Sequence, residues 1–397
     1  MVHVFLPSSR PAVFLGISAL LASALALSGC STAPKKAAVP TKATVAPSAA
    51  AVVTPPVFTA TGVPAALAAV IKPLYYGGAL PASPSADLVL RKRKPVTATS
   101  LIVVKGAVSS WKGVPIAVVT SGSDLTLAVA APRWKIVGGW WPSVGVAAPT
   151  LGGARRVLMV GSDARPGQSV NKSRADSLHI VGVDGRGGGG VLGIARDSYV
   201  NLATGGKGKI NSALTFGGPV GLQRTVVSAT GVPIEGYVIT GFDGFKRVID
   251  GIGGLPMKVP VTVIGAGADV TIKAGANHLT GRAALAYGRQ RHTVAGGDFG
   301  RSANQGLLIM AAGAFAKLAG PAALPGILHI ADPNVTTNLS AEQVLTFAAG
   351  TYVTQPNKVH NRVAAGTFGW TADRQSIVLF DANARRYFAD IRDGNLS

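Results

Sequence analysis

RRVLMVGSDARPGQSVNKSRADSLHIVGVDGRGGGGVLGIARDSYV (155–200) contains three short apolar, β-prone runs, each abutting a charged group. VLMV (157–160) runs into GSDAR (161–165), SRAD (173–176) opens SLHIVGV (177–183), and VLGIA (191–195) runs into Arg196 and Asp197. Runs of this length between glycine-rich and polar clusters read as strands. GRGGGG (185–190) is the hairpin between the second and third; it lacks the Lys-Ser/Thr of a P-loop and reads as a flexible turn. Further on, EGYVIT (235–240), VPVTVI (259–264) and SIVLFD (376–381) read as strands. LQRTVVSA (222–229) behind Pro219, FDGFKRVIDGI (242–252), GRAALAYG (281–288) capped by Thr280, the apolar 301–320 and ARRYFADI (384–391) read as helices. Ser340 and Gln343 form a capping box for one more. The alternation gives one α/β domain over 151–397, long enough for a substantial core.

In open α/β sheets the ligand crevice lies beyond the carboxyl ends of the strands, so charges at those ends tend to converge. The candidates are Asp163 and Arg165, Arg174 and Asp176, Arg196 and Asp197, Lys209 with Asn211, Arg289 with Arg291, and Asp298, Arg301 and Gln305. Arginine presents a planar fork that matches phosphate oxygens two at a time. Asp163 and Asp176 flank sequential strands. They either cap turns and pair with arginines or supply the one or two carboxylates that magnesium takes alongside phosphate and water. If residues 287–292 leave their helix extended, Arg289 and Arg291 point to one face and need an anion or a carboxylate between them. Asp298 stands where a helix cap is expected. Arg301 and Gln305, four apart, share a face at a helix N-terminus, itself an anion site. Asp197 and Asp298 are the candidates for a general base, and His292 is structural or a hydrogen-bond donor.

The chain carries 38 basic and 17 acidic residues, net +21, spread over both halves rather than in one tail. Such a field attracts acidic partners and anionic membrane surfaces. Nucleic acid is not among the expected partners: aromatic content is 6%, and no helix-turn-helix, zinc or RNP signature is present. The single cysteine, Cys30, ends LALSGC (25–30) after an apolar stretch from about Pro11 to Leu27. That stretch is short for a membrane span and suits a signal-peptide core; Leu27-Ser28-Gly29-Cys30 has the shape of a bacterial lipobox. With one cysteine, no internal disulfide or cysteine metal site is possible. We therefore expect a lipoprotein signal peptide over 1–29, with Cys30 lipidated at the outer face of the cytoplasmic membrane. An Ala/Pro/Thr-rich tether over 30–61 and a small β-rich accessory region over 62–150 follow. The accessory strands are SLIVV (100–104), PIAVVT (115–120), LTLAVA (125–130) and WKIVGGWW (134–141), with a hairpin loop at 121–124.

These charged groups, together with KINSALTFGGP (209–219), GVPIEGYVITGFDGFKRVIDGIGG (231–254) and HLTGRAALAYGRQRH (278–292), resemble the LytR-CpsA-Psr family of cell-wall glycopolymer transferases from about Val157 to Asp393. The resemblance implies an α/β domain with a central mixed sheet flanked by helices. It also implies magnesium-assisted transfer of a phosphorylated glycopolymer from a polyprenyl-pyrophosphate carrier to peptidoglycan. Asp163 and Asp176 would hold the metal; Arg165, Arg174, Arg196, Lys209, Arg289, Arg291, Arg301 and Gln305 would bind pyrophosphate; a hydrophobic pocket would take the prenyl chain. The rivals are an exported binder of anionic lipid or wall polymer without turnover, and a pyrophosphatase acting on the same carrier.

Overall fold

The computed structural model describes residues 58–264, 270–291 and 295–397. Cys30, the signal peptide and nearly all of the tether lie outside the described residues, as does His292. The first elements are β1 (Phe58–Thr61), α1 (Ala65–Tyr76), α2 (Pro84–Leu90), β2 (Ile102–Trp111), β3 (Val114–Ser121), β4 (Asp124–Ala130), β5 (Trp134–Trp141) and β6 (Val146–Thr150). Their six strands form one sheet in chain order, with β1 parallel to β2 and every later pair antiparallel. The tether therefore ends earlier than position 61, because residues 58–61 are already paired with 102–105. The β3–β4 turn is made by Gly122 and Ser123, and Gly122 takes the positive φ of 57° that a two-residue hairpin asks of its first turn residue.

The second sheet is built from β7 (Arg155–Ser162), β8 (Ala175–Val183) and β9 (Gly189–Ile194), all antiparallel neighbours. The small β10 (Tyr199–Asn201) and β11 (Lys207–Lys209) precede α3 (Ser212–Thr230), which kinks at Gly218, so that Pro219 opens its second segment. β12 (Gly236–Thr240) runs parallel to β7, and α4 (Phe242–Gly251) follows. The stretch 259–264, read as one strand, is split between β13 (Leu255–Val259) and β14 (Val263–Ile264). Pro260 sits at the break and has no N–H to give a ladder. Next come β15 (Thr271–Ile272), β16 (Gly275–Leu279), α5 (Gly281–Arg289), α6 (Asp298–Ala319), α7 (Leu324–Ala331), β17 (Thr336–Thr337), α8 (Ala341–Val353) and β18 (Val359–Ala364). The chain closes with β19 (Gly366–Trp370), β20 (Ser376–Phe380) and α9 (Ala382–Asp390). The central sheet has the order β17-β12-β7-β8-β9-β18 and is mixed, with β18 parallel to β9. β7, β9, β12 and β18 end at the edge where β8 begins, and this brings the charged groups to one place.

Alternation of side chains across β3 and β4 feeds two cores. Ala117, Val119 and Ala128 pack with Leu67, Ile71 and Leu74 of α1. Ile116, Val118, Leu127 and Val129 pack with Leu324 and Leu328 of α7, with Val344 and Leu345 of α8, and with Val157 and Val183 of the central sheet. Residues 62–150 are thus fused to the second sheet through a common core, not appended as a free-standing module.

Arg155 clamps that junction. Its side chain is 7% exposed, donates from Nε to Glu235 Oε2 (2.8 Å), pairs through Nη2 with Glu235 Oε1, and donates to Thr346 Oγ1 (2.6 Å) and to the Gln343 carbonyl (2.9 Å). Removing one partner of a buried pair leaves the other charge unpaired. Arg155→Ala is therefore expected to cost about 3–5 kcal/mol, read as a shift in the chemical-denaturation midpoint. A loss below about 1 kcal/mol, the range of an exposed pair, would show that the clamp is not structural.

Candidate active site

A β-bulge aims the first carboxylate. Gly161 pairs with Ser177 and Ser162 with Ala175, which leaves Asp176 as the extra residue on β8; bulges re-aim side chains in this way beside active sites. Asp163 follows β7 directly. Its N–H donates to the Arg174 carbonyl and its Oδ1 accepts from the Arg174 N–H, both at 2.9 Å. The 164–173 loop is pinned at its base by these bonds, and Asp163 and Asp176 are held at the wall of one cavity. Arg174 takes part through its peptide; its side chain is exposed and does not line the cavity.

Arg196 leaves β9 and donates from Nη1 to Asp176 Oδ1 at 2.6 Å. Its Nε lies 3.5 Å from Asp298 Oδ2 and 3.7 Å from Asp197 Oδ2. Asp298 also meets Arg291 through its Oδ1 and Arg301 Nη2 at 3.4 Å. Three guanidiniums therefore share the Asp298 carboxylate, which does not cap its helix: Gly297 is the N-cap of α6 and Asp298 stands in the first turn. Lys209 pairs with Asp197 Oδ1 at 3.1 Å. Asp197, Asp298 and Lys209 lie behind the cavity wall instead of in it. Asn211 is buried and serves through its backbone, donating to the Arg196 carbonyl and accepting from Ala175 N–H.

Among the described residues the Nε–H groups of Arg196, Arg291 and Arg301 are buried and have no acceptor in hydrogen-bond geometry, although the Arg196 Nε still faces Asp298 and Asp197 as an ion pair. Burial works against the Arg196 charge, but Asp176, Asp197 and Asp298 outweigh it and raise its pKa. For Arg301 burial prevails: only Asp298 and Asp176 oppose it, Arg196 and Arg291 add repulsion, and the pKa falls. Arg165, Arg196, Lys209, Arg289, Arg291 and Arg301 outnumber Asp163, Asp176, Asp197 and Asp298, so the cluster holds more positive charge than its carboxylates neutralise.

Arg289 and Arg291 do not lie side by side on an extended segment. Arg289 is the last residue of α5, Gln290 is its extended C-cap, and only Arg291 lies beyond. Their mutual repulsion is relieved separately. Arg291 goes to Asp298, and the Arg289 guanidinium stacks 4.8 Å from the Phe242 ring centroid, with Arg165 over the same ring at 5.5 Å. Phe242 was not singled out in the sequence; its signal was only its place directly after β12.

The cavity measures about 520 Å³. Arg301, Gln305, Leu308 and Ala312 all line it from one face of α6, so its wall turns from cationic to apolar over about 16 Å at 1.5 Å per residue. Gln305 donates to the Gly288 carbonyl at 2.9 Å, tying α6 to α5. Met159, Val238, Phe245, Val248 and Ile309 complete the apolar end. Ser177 also reaches the wall, and its Oγ lies 3.1 Å from His179 Nδ1. His179 is fully buried, and burial pushes its pKa down to about 4 although the Ser302 carbonyl opposes this. It is a neutral spacer: Nε2–H donates to the Ser302 carbonyl at 3.0 Å, which leaves Nδ1 to accept from Ser177.

Among the described residues no group of three or more His, Cys, Asp or Glu side chains is placed to hold a metal. The carboxylates on the cavity wall at its charged end are Asp163, whose Oδ1 accepts from the Arg174 N–H, and Asp176, whose Oδ1 accepts from Arg196; the second oxygen of each is left to a ligand such as a cation that also takes phosphate and water oxygens.

Residues 146–388 match the family model LytR_cpsA_psr. Over 205 residues the chain is 34% identical to a Corynebacterium glutamicum protein named probable cell wall biosynthesis protein LcpB, covering 49% of this chain and 47% of that one. Over 178 residues it is 36% identical to TagV of Bacillus subtilis, named a polyisoprenyl-teichoic acid–peptidoglycan teichoic acid transferase, covering 42% and 46%. The crystal structure of B. subtilis TagV superposes with a TM-score of 0.52 at 30% identity, over 62% of this chain and 99% of that one. The chain spans about half the length of these curated relatives. With well over half of its residues matched by the family model, it belongs to the LytR-CpsA-Psr family.

Proposed function

We propose that the protein transfers a phosphorylated glycopolymer from a polyprenyl-pyrophosphate carrier to a sugar hydroxyl of peptidoglycan, and hydrolyses the carrier pyrophosphate when no acceptor is present. The observation that carries this reading is the pairing of an arginine-rich end, lined by Arg165, Arg196, Arg289, Arg291 and Arg301, with an apolar chamber at the other end of the same cavity. A ligand that satisfies both ends is an amphiphile with an anionic head and a hydrocarbon tail. The names of the relatives, which couple a polyisoprenyl carrier to peptidoglycan, support the reading.

In this mechanism Arg196, Arg291 and Arg301 hold the pyrophosphate and stabilise the charge that develops on the transferred phosphate and the leaving group. Arg165, Arg289 and Gln305 line the same head end, and the apolar wall fixes the prenyl chain. Asp163 and Asp176 would hold a magnesium ion, whose chemistry there is neutralisation of phosphate oxygens. Asp197 and Asp298, the candidates for general base, stand behind the arginines with their oxygens engaged by cations. We assign them to positioning Arg196, Arg291, Arg301 and Lys209. Lipidation at Cys30 would place the site at the outer face of the membrane, where the carrier is embedded.

The direct test is incubation of the full-length protein with a polyprenyl-pyrophosphate-linked glycopolymer, peptidoglycan and magnesium, scoring linkage of the phosphorylated glycopolymer to the wall and release of the leaving group, polyprenyl phosphate. Binding of the carrier with neither product would identify a binder instead of an enzyme. Arg301→Lys keeps the charge but loses the fork. Charged hydrogen bonds contribute about 1.5–3 kcal/mol each, so turnover should fall about ten- to a hundredfold; an unchanged rate would remove Arg301 from the site. Asp163→Ala and Asp176→Ala should each abolish the magnesium dependence together with turnover, and normal rates at low magnesium in both would refute the metal assignment. Cys30→Ala should release the protein from the membrane fraction or leave it unprocessed, whereas retention with unchanged processing would refute lipidation.

A further inference from the structure

The β19–β20 hairpin carries two large aromatic side chains in the open: Phe368 is 70% and Trp370 72% exposed. Two apart on one strand, they share a face of the ribbon about 7 Å apart. Phe299, the residue after Asp298, sets its ring 5.5 Å from Phe368 at 34°, continuing the surface toward the charged cluster. The hairpin is not a loose flap: Ile377 and Val378 on β20 are buried, and Val378 N–H donates to the Asp197 carbonyl at 3.0 Å. From the cavity outward the order is Arg196, Asp197, then β20. The rings thus stand on the head-group side of the cavity, on the far side of Asp197.

We propose that Phe368 and Trp370 form a stacking platform for a pyranose ring of the acceptor glycan; this rests on the transfer reading above. Exposed apolar patches mark binding sites, and the surroundings choose among partners. Two rings present at most about 300–500 Å² in all, well short of the roughly 800 Å² each partner gives to a stable protein interface. An anionic bilayer calls for a cluster of cations, but at the hairpin tip Arg374 is offset by Asp373. What flanks the rings is hydrogen-bonding: Ser376 pairs across from Trp370, and Thr371, Asp373 and Gln375 fill the turn. Flat apolar faces rimmed by hydroxyl, amide and carboxylate groups match a sugar, whose C–H face stacks while its hydroxyls are held at the edge. The donor's pyrophosphate and prenyl chain are accounted for inside the cavity; its glycan leaves by the same head end, so a double substitution at Phe368 and Trp370 that weakens binding of the donor and not of an acceptor oligomer would overturn the assignment to the acceptor.

The test uses the full-length protein, a soluble β-1,4-linked N-acetylglucosamine oligomer, and calorimetric titration. The double substitution F368A/W370A should weaken oligomer binding by about tenfold or more, since two stacking contacts are removed, while Trp370→Phe keeps a ring and should bind nearly as well as the parent. Neither site touches the arginine cluster, so acceptor-free release of polyprenyl phosphate from the carrier should be unchanged as transfer to peptidoglycan falls. Oligomer binding that survives the double substitution, or a parent protein that does not bind the oligomer, overturns the proposal. So does intact oligomer binding with loss of adhesion to anionic phospholipid vesicles, which would make the rings a bilayer contact. If the parent binds the oligomer but neither transfers nor releases polyprenyl phosphate, the transfer reading has failed, and loss of binding in the double substitution still establishes the platform.

Discussion

Guanidiniums brought within a few ångströms of one another repel, and the described structure answers that repulsion with the Asp298 carboxylate. Asp298 is in position because the chain enters α6 through Gly296 and Gly297, whose φ angles of 82° and 54° are ones other residues rarely adopt. The turn aims Asp298 at Arg196 from β9, Arg291 from beyond α5, and Arg301 one helical turn further along α6. Three elements far apart in the chain are thus fixed at one point. Because Asp163, Asp176, Asp197 and Asp298 are outnumbered by Arg165, Arg196, Lys209, Arg289, Arg291 and Arg301, a residual demand for negative charge persists in a partly dry place. That imbalance costs folding stability and favours anion binding, as expected of a site selected for a ligand.

The sheet supplies what that carboxylate cannot. With β7 and β9 parallel to β12 and β18, four strand ends and the start of β8 meet at one edge, and the bulge at Asp176 turns a residue that regular pairing would orient differently toward the cavity. α6 crosses this edge at close range. A side chain at Gly193 of β9 would collide with Ser302 and His179, and one at Gly306 with Asn361 of β18. Those close approaches let Arg301 and Gln305 reach over the strand ends while Leu308 and Ala312, on the same face, continue into the apolar chamber.

Much of this was legible in the sequence because it is local. Hydrophobic runs ending in charge marked β7, β8 and β9; Ser340 and Gln343 signalled the α8 start; Asp163, Asp176, Arg196, Arg301 and Gln305 were all placed on one rim. What was hidden is non-local. Whether Arg289 belongs to α5 or to an extended exit depends on its stacking on Phe242, 47 positions away. The role of Asp298 depends on arginines from three elements, so its position near a helix start suggested a cap. His179 was not singled out in the sequence, because its partner Ser302 is 123 residues distant. Arg174 matched its motif and yet contributes its peptide instead of its guanidinium.

The N-terminal sheet gains its meaning from the same geometry. A cavity between a sheet edge and three helices stays open only if those helices are braced from behind, since collapse onto the apolar chamber would bury more hydrocarbon. α7 and α8 are the braces. Their outer faces pack on β3 and β4, Arg155 joins Glu235 to α8, and Lys317 near the end of α6 donates to the Tyr352 carbonyl at 3.2 Å. A sheet remote from every candidate catalytic group thereby bears on how wide the apolar chamber can be, through packing alone and without contributing a side chain to its wall.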